Sequence, residues 1–230
     1  MGKPTSGGAG GSGGRVRNQG AAAAAAAAPE TYREFSSDSE MKAYLYELWN
    51  EQMEGVSNLA RDAQDSYKTY SKINDELRRE EDNFPFYWNN PRPRTRETKT
   101  VGEVAAALDT TMRPSKENLV LWRGISDMPS IASGLRNGTL VGTTIDDKAF
   151  ISTSTGRDAT GVFSEGYQQN IVIKLFAKKG TKMAAADQDY NWSGGQREII
   201  VARNSRLRIT KVVSVSSNSR KIELEAEIIQ

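Results

Sequence analysis

The sequence predicts an α+β fold with antiparallel sheets, and two observations carry that reading. Helical periodicity fills the first half of the chain, and short β-branched segments bounded by turn residues fill the second. Runs of helices followed by runs of strands separate the two element types, where a doubly wound nucleotide fold would alternate them. Neither common Gly-rich phosphate loop is present, and no repeat with a period of about 20–50 residues is visible.

Taken in order, residues 1–29 hold 8 Gly and 9 Ala, eight of the alanines in one run from Ala21 to Ala28. Such a segment cannot bury enough surface to offset its ordering entropy, so it is expected to be a disordered tail, a linker or an added tag. Met1-Gly2 with Ser6 also fits the loose N-myristoylation pattern. A folded domain is expected over 30–230, mainly helical over 30–112 and mainly strands over 113–230. Ser37 and Glu40 are spaced as a capping box. Met41, Tyr44, Leu45, Leu48, Trp49, Met53, Val56 and Leu59 then recur three or four apart, one face of an amphipathic helix. The period continues through Ala63, Tyr67, Tyr70, Ile73 and Leu77 as a second helix after a break near Gly55. Pro85, Pro91 and Pro93 stop it, leaving the aromatic cluster Phe84 to Trp88 in a predicted loop. Thr100 and Glu103 form a second capping-box signal, followed by Val101, Val104, Ala105 and Leu108 on one side.

Strands are predicted at Leu119–Trp122, Ala149–Ser152, Ile171–Phe176, Glu198–Val201 and Leu207–Ile209. At the end, Ile222, Leu224, Ala226 and Ile228 alternate with Lys221, Glu223, Glu225 and Glu227, the pattern of a strand with one wet face.

Composition narrows the chemistry. The 230 residues contain no His and no Cys. That excludes a Cys or His nucleophile, a Ser-His-Asp triad and a His/Cys zinc site, and no metal is expected. Catalysis is left to Asp, Glu, Ser, Thr, Tyr, Lys, Arg or a bound cofactor. Lys3, Arg15 and Arg17 are the only charges in residues 1–29, which leaves 28 basic and 29 acidic residues in the remaining 201. A neutral body gives no push toward a phosphate backbone, so nucleic acid is not the expected partner. No stretch approaches the roughly 18 apolar residues of a membrane-spanning helix.

Three strand-borne segments can carry chemistry. Arg123, in Trp122-Arg123-Gly124, sits at the end of a strand that otherwise reads as buried; its planar fork suits a phosphate or a carboxylate. Ser152-Thr153-Ser154 closes another strand with three hydroxyls able to orient a carboxylate or a ribose. Gln196 and Glu198 lie two apart, so in a strand both point to one face with Arg197 opposite. The loop before them, Asp187 to Gly195, carries Tyr190 and Trp192. Each segment alone is compatible with an ordinary structural role.

Together, in this order and spacing, they resemble the mono-ADP-ribosyltransferase toxin family of the Arg-Ser-Glu class. The likeness runs from about Tyr70 to the C-terminus. It takes in the helix Tyr70 to Arg78, Ala107-Leu108-Asp109, Glu117 to Gly124, Lys148 to Ser154 and Gly195 to Val201. The resemblance implies N-terminal helices packed on two roughly perpendicular antiparallel β-sheets with NAD in the cleft between them. It implies NAD as co-substrate, with Arg123 on the phosphates, Gly124 on the nicotinamide amide and Thr153, Ser154 and Arg157 as further cofactor contacts. Ser152 would hold Glu198, and Glu198 would bond the ribose and stabilise the transition state. Gln196, with Tyr190 and Trp192, would recognise the acceptor. A Gln-x-Glu pattern is similar to that of Rho-modifying clostridial exoenzymes and of some actin-modifying toxins, implying a non-arginine acceptor on a host GTPase or actin. A secreted or translocated monomer acting in the target-cell cytoplasm is the expectation. An NAD glycohydrolase, an arginine-specific enzyme inactivated by Gln196, a nucleic-acid modifier and a non-catalytic binding module remain open at this point.

Overall fold

The structure is a computed structural model that describes residues 30–64, 67–79, 85–89, 96–126, 128–157, 170–186, 197–216 and 221–230. The N-terminal tail expected over 1–29 lies outside them. In chain order the elements are α1 (Asp38–Met53), α2 (Asn58–Gln64), α3 (Tyr67–Arg78), β1 (Pro85–Asn89), β2 (Arg96–Thr100), α4 (Val101–Asp109), β3 (Arg113–Pro114) and β4 (Leu119–Ile125). There follow α5 (Pro129–Asn137), β5 (Thr144–Asp147), β6 (Ile151–Ser154), β7 (Ile171–Ala177), β8 (Lys182–Ala185), β9 (Glu198–Val201), β10 (Ser205–Val215) and β11 (Ile222–Ile229).

The helices form where the apolar period and the caps require them. Thr100 and Glu103 complete a reciprocal capping box: the Thr100 hydroxyl accepts from Glu103 N at 3.1 Å and the Glu103 carboxylate accepts from Thr100 N at 2.7 Å. The box expected at Ser37 is only half made. Ser37 Oγ accepts from Glu40 N at 3.3 Å, but the Glu40 carboxylate accepts from Ser36 N and from Arg33 instead. A guanidinium within reach is a stronger donor than the cap's own amide. The proline-rich segment is not all loop, since β1 and β2 pair as an antiparallel ribbon with Pro85 opposite Thr100. Pro85 sits at the first position of a strand in a two-stranded ribbon, a place where a residue without an N–H is tolerated.

The other nine strands among the described residues form one sheet in the order β3-β8-β9-β6-β4-β7-β11-β10-β5. The α+β class stands, with two differences in detail. The two halves are continuous through a single register pair, Trp122↔Ser154, and β7 with β11 is a parallel pair where antiparallel pairing was expected throughout. The β10–β11 hairpin turns the chain back so that β11 lies beside β7 in the same direction.

Alternation along β8 shows how the ladder divides the apolar interior. Met183 and Ala185 join one cluster, with Leu45 and Leu48 of α1, Leu121 and Ile173. Ala184 and Ala186 join a second, with Ile73 of α3, Val104 and Leu108 of α4, and Phe150. Two buried helix carboxamides fix the strands between these clusters. Gln52 exchanges hydrogen bonds with the backbone of Ala185 at 2.8 and 2.7 Å. Asn74 does the same with Phe150, both at 3.0 Å, which pins the residue before β6.

Candidate active site

The ladder between β4 and β6 ends where it begins, at Trp122↔Ser154, so the strands part and open a fork in the sheet. The predicted residues Arg123, Gly124 and Ser152 all lie in this fork. β4 runs from four buried residues, Leu119 to Trp122, into the half-buried Arg123, Gly124 and Ile125. In place of a ladder bond, Arg123 Nη1 donates to the Ser152 carbonyl at 3.0 Å. Across β6, the Ser152 hydroxyl donates to Glu198 Oε1 in a very short hydrogen bond. Arg123, Ser152 and Glu198, well separated in the sequence, are thereby one connected group.

Glu198 is 5% exposed. Burial pushes its carboxyl up to about 7, against the lowering effects of the Ser152 hydrogen bond and the Arg123 charge. Burial likewise lowers the Arg123 guanidinium, with Asp147 opposing and Arg78 adding to the effect. An arginine starts so far above neutrality that Arg123 stays charged.

Other predicted residues are placed elsewhere or differently. The Thr153 hydroxyl donates to the Ile199 carbonyl at 2.7 Å, and Ser154 Oγ accepts from Gly156 N at 3.2 Å. Both residues are buried where β6 pairs with β9, and the Ser152 hydroxyl is the one that bonds the Glu198 carboxylate directly across the pair. Arg157 is not brought to Arg123. It pairs with Glu223 at 3.0 Å and lies over the Trp122 ring, whose side chain leaves β4 on the face opposite Arg123. Tyr190, Trp192 and Gln196 lie outside the described residues. Arg197 is not extended: its φ of 47° is left-handed, and β9 begins only at Glu198. The strand alternation expected to carry Gln196 onto the face of Glu198 therefore stops at Arg197. The Arg197 side chain makes an ion pair with Asp38 in the first turn of α1 and touches Met41 Sδ at 3.8 Å.

Two residues of the site escaped sequence reasoning. Arg78, the last residue of α3, places Nε and Nη2 each 3.2 Å from the Asp147 carboxylate. Asp147, the last residue of β5, also faces Arg123 Nη2 at 3.6 Å. Arg78, Arg123 and Asp147 line a cavity of about 530 Å³ floored by Ile125, Met128, Ile145, Ile173 and Leu207, in the size range of small-molecule sites. Glu198 is not among its lining residues. The one signal available beforehand was position: Arg78 closes the helix that resembles the toxin family, and Asp147 stands shortly before Ser152. Their meeting spans 69 residues and needs the fold.

The family model described as ADP-ribosyltransferase exoenzyme matches residues 39–230. The chain belongs to this family. Among curated proteins it is similar to the mono(ADP-ribosyl)transferase SpvB of Salmonella typhimurium, 25% identical over 118 residues, or 51% of this chain. The aligned part is 18% of that relative's length, so the chain spans only a small part of the curated proteins it matches. Two solved structures share the fold. An ADP-ribosyltransferase from Clostridium botulinum matches with a TM-score of 0.63 at 19% identity, covering 87% of this chain and all of that one. The C3 exoenzyme of Clostridium limosum matches with a TM-score of 0.63 at 18% identity, covering 87% of this chain and 98% of that one. The family and the α+β transferase fold expected from the motifs are thus borne out.

Proposed function

We propose that this chain is an NAD-dependent mono-ADP-ribosyltransferase of the toxin or effector kind, transferring ADP-ribose to a non-arginine side chain of a host protein such as a small GTPase or actin. The observation that carries the proposal is the connected group Arg123–Ser152–Glu198: a fixed cation and a buried carboxylate with a pKa near 7, held together across the fork.

The residues present fit a dinucleotide. Arg123 offers a charge-assisted fork for the diphosphate, and Arg78 a second. The backbone of Gly124, where β4 has parted from β6, would meet the nicotinamide amide. Glu198, held by Ser152, accepts from the ribose 2′-hydroxyl and faces the positive charge that develops as the C1′–N bond breaks. Its negative charge is already oriented in a site of low dielectric, where such stabilisation is strongest. Nicotinamide leaves with the bonding electron pair as a neutral molecule, so no general acid is required, in keeping with a chain that has no His. The acceptor nucleophile then bonds C1′ and its proton passes to solvent. Gln196, whose amide donates and accepts at once, would select an amide or hydroxyl acceptor, with Tyr190 and Trp192 as further acceptor-recognition residues in this reading. Residues 30–230 are the transferase domain in this reading, and a monomer delivered into the target-cell cytoplasm is its working form. Among the described residues no helix is long and apolar enough to cross a membrane.

The test is incubation with labelled NAD, with and without eukaryotic and bacterial lysates, alongside a Glu198→Ala control. Label on one protein, absent in the control and mapped to Asn, Gln, Thr or Ser, is the expected result. Nicotinamide release with no labelled protein would favour the glycohydrolase, and label on arginine would overturn the reading of Gln196.

A further inference from the structure

Asp147 stands between two arginines that come from different parts of the fold. Its position is over-determined: Ser205↔Asp147 pairing ties it to β10, and Oδ1 accepts from Ala149 N at 3.1 Å, two residues ahead in the chain. On that fixed carboxylate Arg78 closes a two-bond fork at 3.2 Å, and Arg123 approaches at 3.6 Å while still bonded to the Ser152 carbonyl. The Asp147 and Arg123 side chains are 14% and 16% exposed and Arg78 42%, so the pair of cations has one buried and one wet member. Arg78 Nη1 also lies 3.9 Å from the exposed Asp75 carboxylate on its own helix, and the cavity lining carries three cations, Arg78, Arg123 and Lys148, against the two carboxylates Asp146 and Asp147, a surplus of one positive charge.

We propose that Asp147 is a positioning residue that holds Arg78 and Arg123 side by side as a clamp for a diphosphate. Two unscreened guanidiniums this close repel, and the wet member on its long flexible stem is the one that would swing away. The carboxylate removes that repulsion and fixes the direction of both forks. The identification of the diphosphate as part of NAD rests on the function proposed above; the clamp itself does not. Asp146 and Lys148 are the remaining charged residues at the cavity.

Simple electrostatics and the clamp predict opposite signs, which makes the proposal sharp. If Asp147 merely adds negative charge beside an anion site, Asp147→Asn tightens binding; if it positions the arginines, the same change weakens it. The experiment measures inorganic pyrophosphate binding by calorimetry for the full chain and its Asp147→Asn, Asp147→Glu, Arg78→Gln and Asp147→Asn/Arg78→Gln variants, with thermal melts to confirm folding. NAD kinetics for nicotinamide release are run in parallel. The clamp predicts that Asp147→Asn weakens pyrophosphate about tenfold or more and raises KM for NAD alike with kcat changed far less, as expected for lost charge-assisted contacts. Asp147→Glu recovers part of the loss. The double variant binds no worse than Arg78→Gln, because the two residues act as one unit. Unchanged or tighter pyrophosphate binding in folded Asp147→Asn, additive losses in the double variant, or no pyrophosphate binding by the wild-type chain overturns the clamp. Pyrophosphate binding that depends on Asp147 without any nicotinamide release would keep the clamp and overturn the function; normal NAD cleavage with binding indifferent to Asp147 would do the reverse.

Discussion

Arg123, half-buried, and Glu198, buried, are charges beside the same fork in the sheet, and the protein treats them in opposite ways. Arg123 is compensated from two sides, by the Asp147 carboxylate and the Ser152 carbonyl. For Glu198 the Ser152 hydrogen bond and the Arg123 charge oppose burial, and burial wins: its carboxyl rises to about 7. The difference separates binding from chemistry. A charge that must hold an anion in every state has to be permanent, and burial cannot discharge an arginine. A charge that must respond to a developing cation works best when it is costly beforehand, because the interaction then grows as the transition state forms.

The strongest way to break the comparison is Glu198→Gln, which keeps the shape and the Ser152 contact but removes the charge. Nicotinamide release is expected to fall on the order of 10²–10³ or more with KM little changed, since only the transition state loses an interaction. A KM effect of similar size would mean Glu198 binds rather than reacts, and the two ends of the fork would not differ in kind.

The same substitution should stabilise the fold. A carboxyl raised in the folded chain favours its protonated form, so its contribution is present at low pH and is lost as pH rises through about 7. Glu198→Gln escapes that loss. Moving a carboxyl from its ordinary value to about 7 amounts to on the order of 3 kcal/mol, so denaturant unfolding should find the variant more stable by up to that amount at pH 8. The gain should vanish below about pH 4.5, where both side chains are neutral. Equal stability at both pH values would show that Glu198 is not strained by burial.

At the other end, Arg123→Lys keeps the charge and removes the fork. A lysine ammonium cannot serve the Ser152 carbonyl and the Asp147 side at once with planar geometry, so KM for NAD is expected to rise about tenfold to a hundredfold with a smaller fall in kcat. Steady-state kinetics of nicotinamide release separate the two parameters, and a pure kcat loss would erase the distinction between the two ends.

What the sequence disclosed of this arrangement follows from how local each feature is. The strands Ile171–Ala177 and Ile222–Ile229 announce themselves by composition or alternation, and the Thr100 capping box needs only two residues three apart. Arg123, Ser152 and Glu198 were legible because each lies within a short motif whose order is diagnostic as a set. Asp147 was not, because its meaning depends on Arg78 arriving from a helix 69 residues away. The left-handed Arg197 was equally hidden: nothing in Gln196-Arg197-Glu198 signals a left-handed backbone immediately before the strand, and an arginine is not a residue type that favours positive φ. Tertiary contacts to Asp38 and Met41 hold it there. The aromatic stretch near Pro85 was misjudged for a related reason, since proline stops a helix but is tolerated at the start of an outer strand.

The subtlest test concerns Ser152, the residue that belongs to both ends: its carbonyl serves Arg123 and its hydroxyl serves Glu198. Ser152→Ala leaves the carbonyl in place and removes only the hydroxyl. In the wild-type chain kcat/KM should rise with pH and level off above about 7 as Glu198 ionises. The hydroxyl donates to the carboxylate and so lowers its pKa; without it burial acts less opposed, and the rising limb must move to higher pH. At pH 7 the variant is therefore slower chiefly because less of its Glu198 is ionised, and raising the pH should restore much of the rate. KM for NAD should stay near the wild-type value, because the Arg123 contact runs through the backbone. A pH profile unmoved in position but lower throughout would instead mean that Ser152 fixes the direction of the carboxylate and not its charge, and a raised KM would mean that the two ends are coupled through the hydroxyl as well as through the chain.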